Sequence, residues 1–186
     1  MYGVLGSSHG ASAAGIMLTR ERDTLPNPGG RRRLAMSTDE NKAVIRRFFE
    51  ELLSTDNFSV ADEILAPDFR FYFAGSPDPM DLQSYKDFLV MRRAAFPDRR
   101  FTVEEMVAEG DKVSARFTMR GTHEGELRGI APTGKAVTMT GIDIIRLHEG
   151  QIVEDRVEVD QLGMMQQLGV IPTPGQSEEA PPSRPG

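Results

Sequence analysis

Residues 144–169, IIRLHEGQIVEDRVEVDQLGMMQQLG, constrain the fold more than any other stretch. Apolar and charged residues alternate on both sides of Glu149-Gly150, which predicts two strands joined by a tight turn. Asp160 then precedes a short run ending at Gly169, which predicts a helix with Asp160 as its N-cap. A hairpin of this kind buries one face only, so the rest of the chain must supply its cover.

That cover is legible upstream. Ser37-Thr38-Asp39-Glu40 reads as a capping box opening a helix over about 38–54, with Val44, Ile45, Phe48, Phe49, Leu52 and Leu53 as its apolar stripe. A short helix over about 58–65 stops at Pro67, and DFRFYFA (68–74) follows as an aromatic strand. A third helix is predicted over about 81–95. Strands are predicted at 100–109, 112–123, 136–147 and 151–159. Helices followed by consecutive antiparallel strands define an α+β layout, and a curved sheet around helices leaves room for a small molecule.

The flanks read differently. Residues 1–35 and 173–186 show no helical or strand period and are expected to be disordered, leaving one domain at 36–172. Met36 is the expected start of the folded part, as a true or alternative translation start, with a targeting peptide as the alternative for the upstream segment. The chain carries a formal charge of −6; its first 35 residues hold five arginines against Glu21 and Asp23, or +3, so the remainder carries −6 − 3 = −9. An acidic body repels phosphate backbones, so no nucleic-acid partner is expected. No apolar run of about 18 residues occurs, so no membrane partner is expected, and a cytoplasmic location is. Without cysteine, and with three histidines of which His9 lies in the first segment, no metal site is expected.

Four pieces carry a resemblance: RRFFEELL, LAPDFRF, GTHEGELRGIAPTGKAVTMTGIDIIRL and EGQIVEDRVEVDQLGMMQQLG, in this order. Over roughly residues 38–171 they are similar to the SnoaL-like polyketide cyclases, or ester cyclases, of the nuclear-transport-factor-2-like superfamily. The resemblance implies a cone: a curved antiparallel sheet wrapped around three N-terminal helices, closed by a short C-terminal helix. It implies intramolecular aldol-type ring closure, or related isomerase or lyase chemistry, on a polyketide-like carbonyl compound without a cofactor. Aligned without gaps, the family's catalytic aspartate falls on Val157, and two of its pocket histidines fall on Asp143 and Asp155. Two alternatives follow: a non-catalytic small-molecule binding protein of the same fold, and a hydrolase similar to the limonene epoxide hydrolases.

Strand alternation assigns the pocket. On 112–123 the odd positions Val113, Ala115, Phe117, Met119 and His123 are expected inside. A three-residue turn with Gly150 as a bulge pairs Leu147 with Gln151, sets Asp143 opposite Asp155 and Gly141 opposite Val157, and turns all four inward with Met139, Ile145, Val153 and Val159. A two-residue turn slips the last strand by one, reverses its faces and pairs Asp143 with Arg156. Under the first register, two facing carboxyls in an apolar cone share a proton and suit acid/base work. The candidate catalytic residues are therefore Asp143, Asp155 and His123, the last as a proton shuttle at the cone mouth. Candidate substrate contacts are Phe117, Met119, Met139 and Val157, with Arg70, Tyr72 and Tyr85 covering the mouth. The outward Arg116, Arg120, Glu154, Arg156 and Glu158 form a mixed-charge face and predict a homodimer.

Overall fold

The computed structural model describes residues 36–173; both flanking segments, with the expectations made for them, lie outside the described residues. The chain order is α1 (Thr38–Arg47), a π-helical continuation (Phe48–Leu53), α2 (Phe58–Ile64), β1 (Leu65–Phe73), α3 (Leu82–Ala95), β2 (Arg100–Glu109), β3 (Lys112–Thr122), β4 (Ala136–His148), β5 (Gln151–Val159) and α4 (Gln161–Leu168). Among the described residues no helix is long and apolar enough to cross a membrane.

The capping box at α1 forms as its sequence requires: the Glu40 amide donates to Ser37 Oγ (3.2 Å), and the Ser37 amide donates to Glu40 Oε2 (2.7 Å). The apolar stripe of α1 and its π continuation buries Ile45, Phe48, Phe49 and Leu52 completely. The π register adds a residue to the turn, a feature that often marks functional sites. Here it presents Leu53 to the cavity described below, while the Leu53 carbonyl accepts from Arg99 Nε at 3.2 Å.

The curved, unclosed sheet has the order β1-β5-β4-β3-β2. Its pairs are antiparallel except β1–β5, which is parallel. β1 begins at Leu65 and runs through Pro67, which was expected to end α2 before a strand starting at Asp68. Edge placement explains the difference, because an edge strand tolerates a residue without an amide donor.

The β4–β5 hairpin combines features of both expected registers. Glu149 (φ 49°) and Gly150 (φ 86°) form a two-residue turn, so His148 pairs with Gln151 and Leu147 with Ile152. Arg146 then pairs with Glu154, leaving Val153 as an extra residue. This bulge undoes the reversal that the short turn imposes. Asp155 and Val157 therefore face inward, as the three-residue turn also required, but shifted by two positions: Asp143 lies opposite Val157, Asp155 opposite Ile145, and Gly141 opposite Val159. Ile152 replaces Val153 on the inner face and is fully buried. The bulge also removes the Asp143–Arg156 pair, since Arg156 lies opposite Ile144.

Candidate active site

A cavity sits between the inner sheet face and α3. Its volume is about 60 Å³. Phe71, Phe73, Phe88 and Phe101 give it aromatic walls, and Phe117, Met139 and Val157 form its sheet side. Gly141 makes room there: a Cβ on it would lie 2.5 Å from Phe117 Cζ and 2.8 Å from Val159 Cγ1. A second, smaller cavity toward α4 shares Phe73, Arg92, Met139 and Val159 with the first.

Two carboxyls lie in this apolar surround. Asp155 lines the cavity and is 1% exposed; Asp143 is 3% exposed but does not reach the cavity wall. Their registers make them diagonal neighbours across β4–β5, about 7–8 Å apart at the backbone. Oδ1 of each is buried without a hydrogen-bond partner. Burial pushes Asp155 up to about 8. Burial, and then the charge of Asp155, push Asp143 well above the ordinary aspartate range. Among the described residues no cluster of three or more His, Asp or Glu side chains forms a metal site.

Cations stand against the same cavity. Arg99 is 2% exposed; its Nη2 pairs with Asp56, while its Nη1 is buried without a partner. Arg92 lines both cavities, over the rings of Phe88 and Phe96 at 5.6 and 5.9 Å. Burial, then the charges of Arg99 and Arg128, lower Arg92 to about 10. Tyr85 senses both sets of charges. Burial raises its hydroxyl well above the usual tyrosine value, Asp155 and Asp143 raise it further, and Arg99 and Arg92 oppose them.

The other expected site residues divide. Phe117, Met139, Val157 and Tyr85 line the cavity. Met119 is buried but packs in a separate cluster with Phe96, Leu127, Met164 and Leu168. Arg70 and Tyr72 do not cover the mouth. β1 is a member of the sheet, and its inward residues are Phe69, Phe71 and Phe73. Arg70 is therefore exposed, and Tyr72 stacks under Arg156 at 3.8 Å on the outer face. His123 is buried but does not approach Asp143. Asp143 pairs with Ala115, eight residues back along β3, about 26 Å away at strand rise. The His123 Nδ1 lies 3.3 Å from the Thr133 amide, which donates to it, and the ring packs 5.3 Å from Phe96.

Arg92 and Arg99 were missed as site residues. For Arg92 a signal existed: Tyr85, Phe88, Leu89, Arg92 and Phe96 fall at helical spacing on one face of α3. For Arg99, which follows the helix in an irregular turn, there was none.

A small apolar cavity with a few converging polar groups is a candidate small-molecule site. The chain belongs to the SnoaL-like polyketide cyclase family, whose model it matches over residues 43–168. It is 28% identical over 137 residues to the aklanonic acid methyl ester cyclase AcmA of Streptomyces galilaeus, an alignment spanning 70% of this chain and 91% of that protein. Among solved structures, it resembles a protein from Jannaschia sp. CCS1 assigned as a SnoaL-like polyketide cyclase (26% identity, TM-score 0.68, covering 73% of this chain and 95% of that one). It also resembles IdmH from Streptomyces antibioticus, assigned as a polyketide cyclase (31% identity, TM-score 0.63, covering 69% and 98%).

Proposed function

We propose that the chain catalyses an intramolecular aldol ring closure in a polyketide-like carbonyl compound, with Asp155 as its acid/base. One observation carries this reading: Asp155 is a cavity-lining carboxyl, almost fully buried, with a free Oδ1. The ionised carboxylate removes a proton from carbon next to a carbonyl. The enolate carbon bonds to a second carbonyl carbon of the same molecule, whose oxygen takes up the electron pair. Asp155 returns the proton to that oxygen, so the net reaction is an isomerisation. A group held near 8 suits this work close to neutral pH. Asp143, whose carboxyl burial also holds well above the ordinary aspartate range, keeps its proton beside Asp155 and does not touch substrate.

Aklanonic acid methyl ester, which the AcmA relative is named for, is the first compound to test. Turnover by the full chain is expected, with a loss of about 10²-fold or more in Asp155→Asn while binding persists. Undiminished turnover in Asp155→Asn would remove the residue from the mechanism.

A second reading, a binding protein without turnover, rests on Val157, which lines the cavity at the position where the resemblance sets the family's aspartate. Tight binding without turnover, with turnover gained in Val157→Asp, would establish it. The relatives reported above lend the epoxide-hydrolase alternative no support.

The same proposal includes a homodimer through the outer sheet face. Arg116, Arg120, Arg156, Glu154 and Glu158 lie there with the half-exposed Ile142 and Ile144, a mixture of charge and apolar area that can pair with itself. A monomer mass by light scattering would exclude it.

A further inference from the structure

Asp155 is the one carboxyl among the described residues that lines the cavity. Arg99 and Arg92 line it too, with guanidinium groups that the aldol step does not use. Asp56 is the only carboxylate among the described residues in ion-pair contact with Arg99, and it is shared with Arg93 Nη1 at 2.5 Å. The Leu53 carbonyl takes Arg99 Nε, which leaves Nη1 as a buried donor in a residue that lines the cavity. Arg92 has no carboxylate partner among the described residues. Its neighbours are two aromatic rings and further guanidinium groups. Arg128 follows at the second cavity, over the Phe73 ring at 5.2 Å.

A buried N–H without a partner costs free energy, and cations set close together repel one another. An anionic oxygen in the cavity relieves both, because guanidinium N–H groups form strong charge-assisted hydrogen bonds with carboxylates. We infer that this cavity takes an organic anion, whose carboxylate or enolate oxygen is received by Arg99 Nη1 and Arg92 and whose apolar body lies against Phe71, Phe73 and Phe88. The inference rests on the cavity being the ligand site. It deepens the proposed reaction by orienting the substrate: the anionic oxygen lies toward the arginines and the reacting carbon toward Asp155. A neutral ester placed the other way round would leave Arg99 Nη1 unsatisfied.

The test compares benzoate with its neutral isostere benzamide at neutral pH, by calorimetry on the full chain. A single ring suits the small cavity. Benzoate is expected to bind about tenfold or more tightly than benzamide. Arg92→Gln should bring the two near parity, while Arg92→Lys should keep most of the preference; thermal melts establish that both variants fold. Asp155→Asn should bind benzoate as tightly as the parent, or more tightly. Equal affinities in the parent, absence of benzoate binding, or an unchanged preference in Arg92→Gln would overturn the inference. The two readings fail separately: turnover surviving in Asp155→Asn removes the acid/base assignment and leaves the anion preference standing, whereas loss of the preference in the parent leaves the catalytic test unaffected.

Discussion

The two faces of the β4–β5 hairpin carry carboxylates a few ångströms apart in opposite electrostatic states. On the outer face Glu154 accepts from Arg156 Nε at 2.8 Å and lies 3.6 Å from Arg146; the Arg156 bond, above all, holds it below the usual glutamate range. On the inner face Asp143 and Asp155 have no cation partner among the described residues, and burial holds them above the aspartate range. Asp155 is the direct chain neighbour of both Glu154 and Arg156. Side-chain chemistry is nearly the same on the two faces, so the face alone decides whether a carboxyl is a solvated partner or a proton store.

The face is set by one residue, and the largest predicted effect follows from it. Inserting one residue between Val153 and Glu154, with a single-residue bulge kept, shifts the rest of β5 by one. Asp155 and Val157 would then turn outward, and Glu154, Arg156 and Glu158 would enter the apolar core. The insertion variant should fail to fold, or fold with the hairpin out of register, whereas deleting Val153 keeps Glu154 opposite Arg146 and Asp155 opposite Ile145 and should be tolerated far better. A cooperative melt of the insertion variant close to that of the parent would show that the residue count at the bulge does not set the faces.

The next effect is the pH dependence of stability. The inner carboxyls have folded-state values above their unfolded ones, so the folded state binds more protons than the unfolded state between about pH 4 and pH 8. Their contribution is fully present below the unfolded value and is lost as pH rises through the folded one. Each such proton changes stability by about 1.4 kcal/mol per pH unit, or about 3 kcal/mol between pH 5 and pH 7. Asp143→Asn should remove one proton's share of this slope and raise stability relative to the parent above neutral pH. Urea titrations at several pH values measure it, and parallel parent and variant curves would mean that Asp143 is not held protonated.

Much of this could be read from the sequence, and the limits are physical. The strands and helices were legible because their periods and turn residues agree at every junction, from the capping box at Ser37 to the cap at Asp160, whose Oδ1 accepts from the Gly163 amide at 2.8 Å. The inward facing of Asp143 was legible from alternation, whereas that of Asp155 was one of two outcomes that the hairpin register left open. Their partners were not legible, because turn length and bulge compensate for each other and leave no trace in the residue pattern. His123 was misplaced for a related reason. The loop between β3 and β4 runs from 123 to 135, so sequence alone fixed no register between the two strands. The arginines at the cavity depend on how α3 and the turn after it pack on the sheet, which no local pattern reports.

An intermediate effect probes how tightly the inner face is packed. Gly141→Ala would drive a methyl into Phe117, Val159 and the Glu158 carbonyl, the last at 2.9 Å. The Phe117 ring lines the cavity, so its displacement there narrows it. Destabilisation of about 1–3 kcal/mol is expected, with ligand affinity falling as the cavity narrows. An unchanged melting temperature with unchanged affinity would mean that the sheet flexes here and that the inner face is less rigid than the outer-face comparison assumes.

The smallest effect sharpens the contrast most, because its sign is opposite. Glu154→Gln removes the carboxylate that Arg156 and Arg146 hold on the outer face, where the Glu154 side chain is 25% exposed and that of Arg156 52%. Partly exposed pairs of this kind contribute under about 1 kcal/mol. The folded value of Glu154 lies below its unfolded one, so its contribution is present above the unfolded value and is lost as pH falls through the folded one. Glu154→Gln should therefore cost a little stability at neutral pH and nothing in strong acid, whereas Asp143→Asn should change stability above neutral pH and little in acid. Arg156 also stacks on Tyr72, so a change at Arg156 mixes two effects, and Glu154 is the cleaner probe of the ion pair. Two variants, eleven residues apart in the chain and on opposite faces of one hairpin, should thus bend the stability curve in opposite directions. If both bent it the same way, burial would not be what separates the two carboxylate environments.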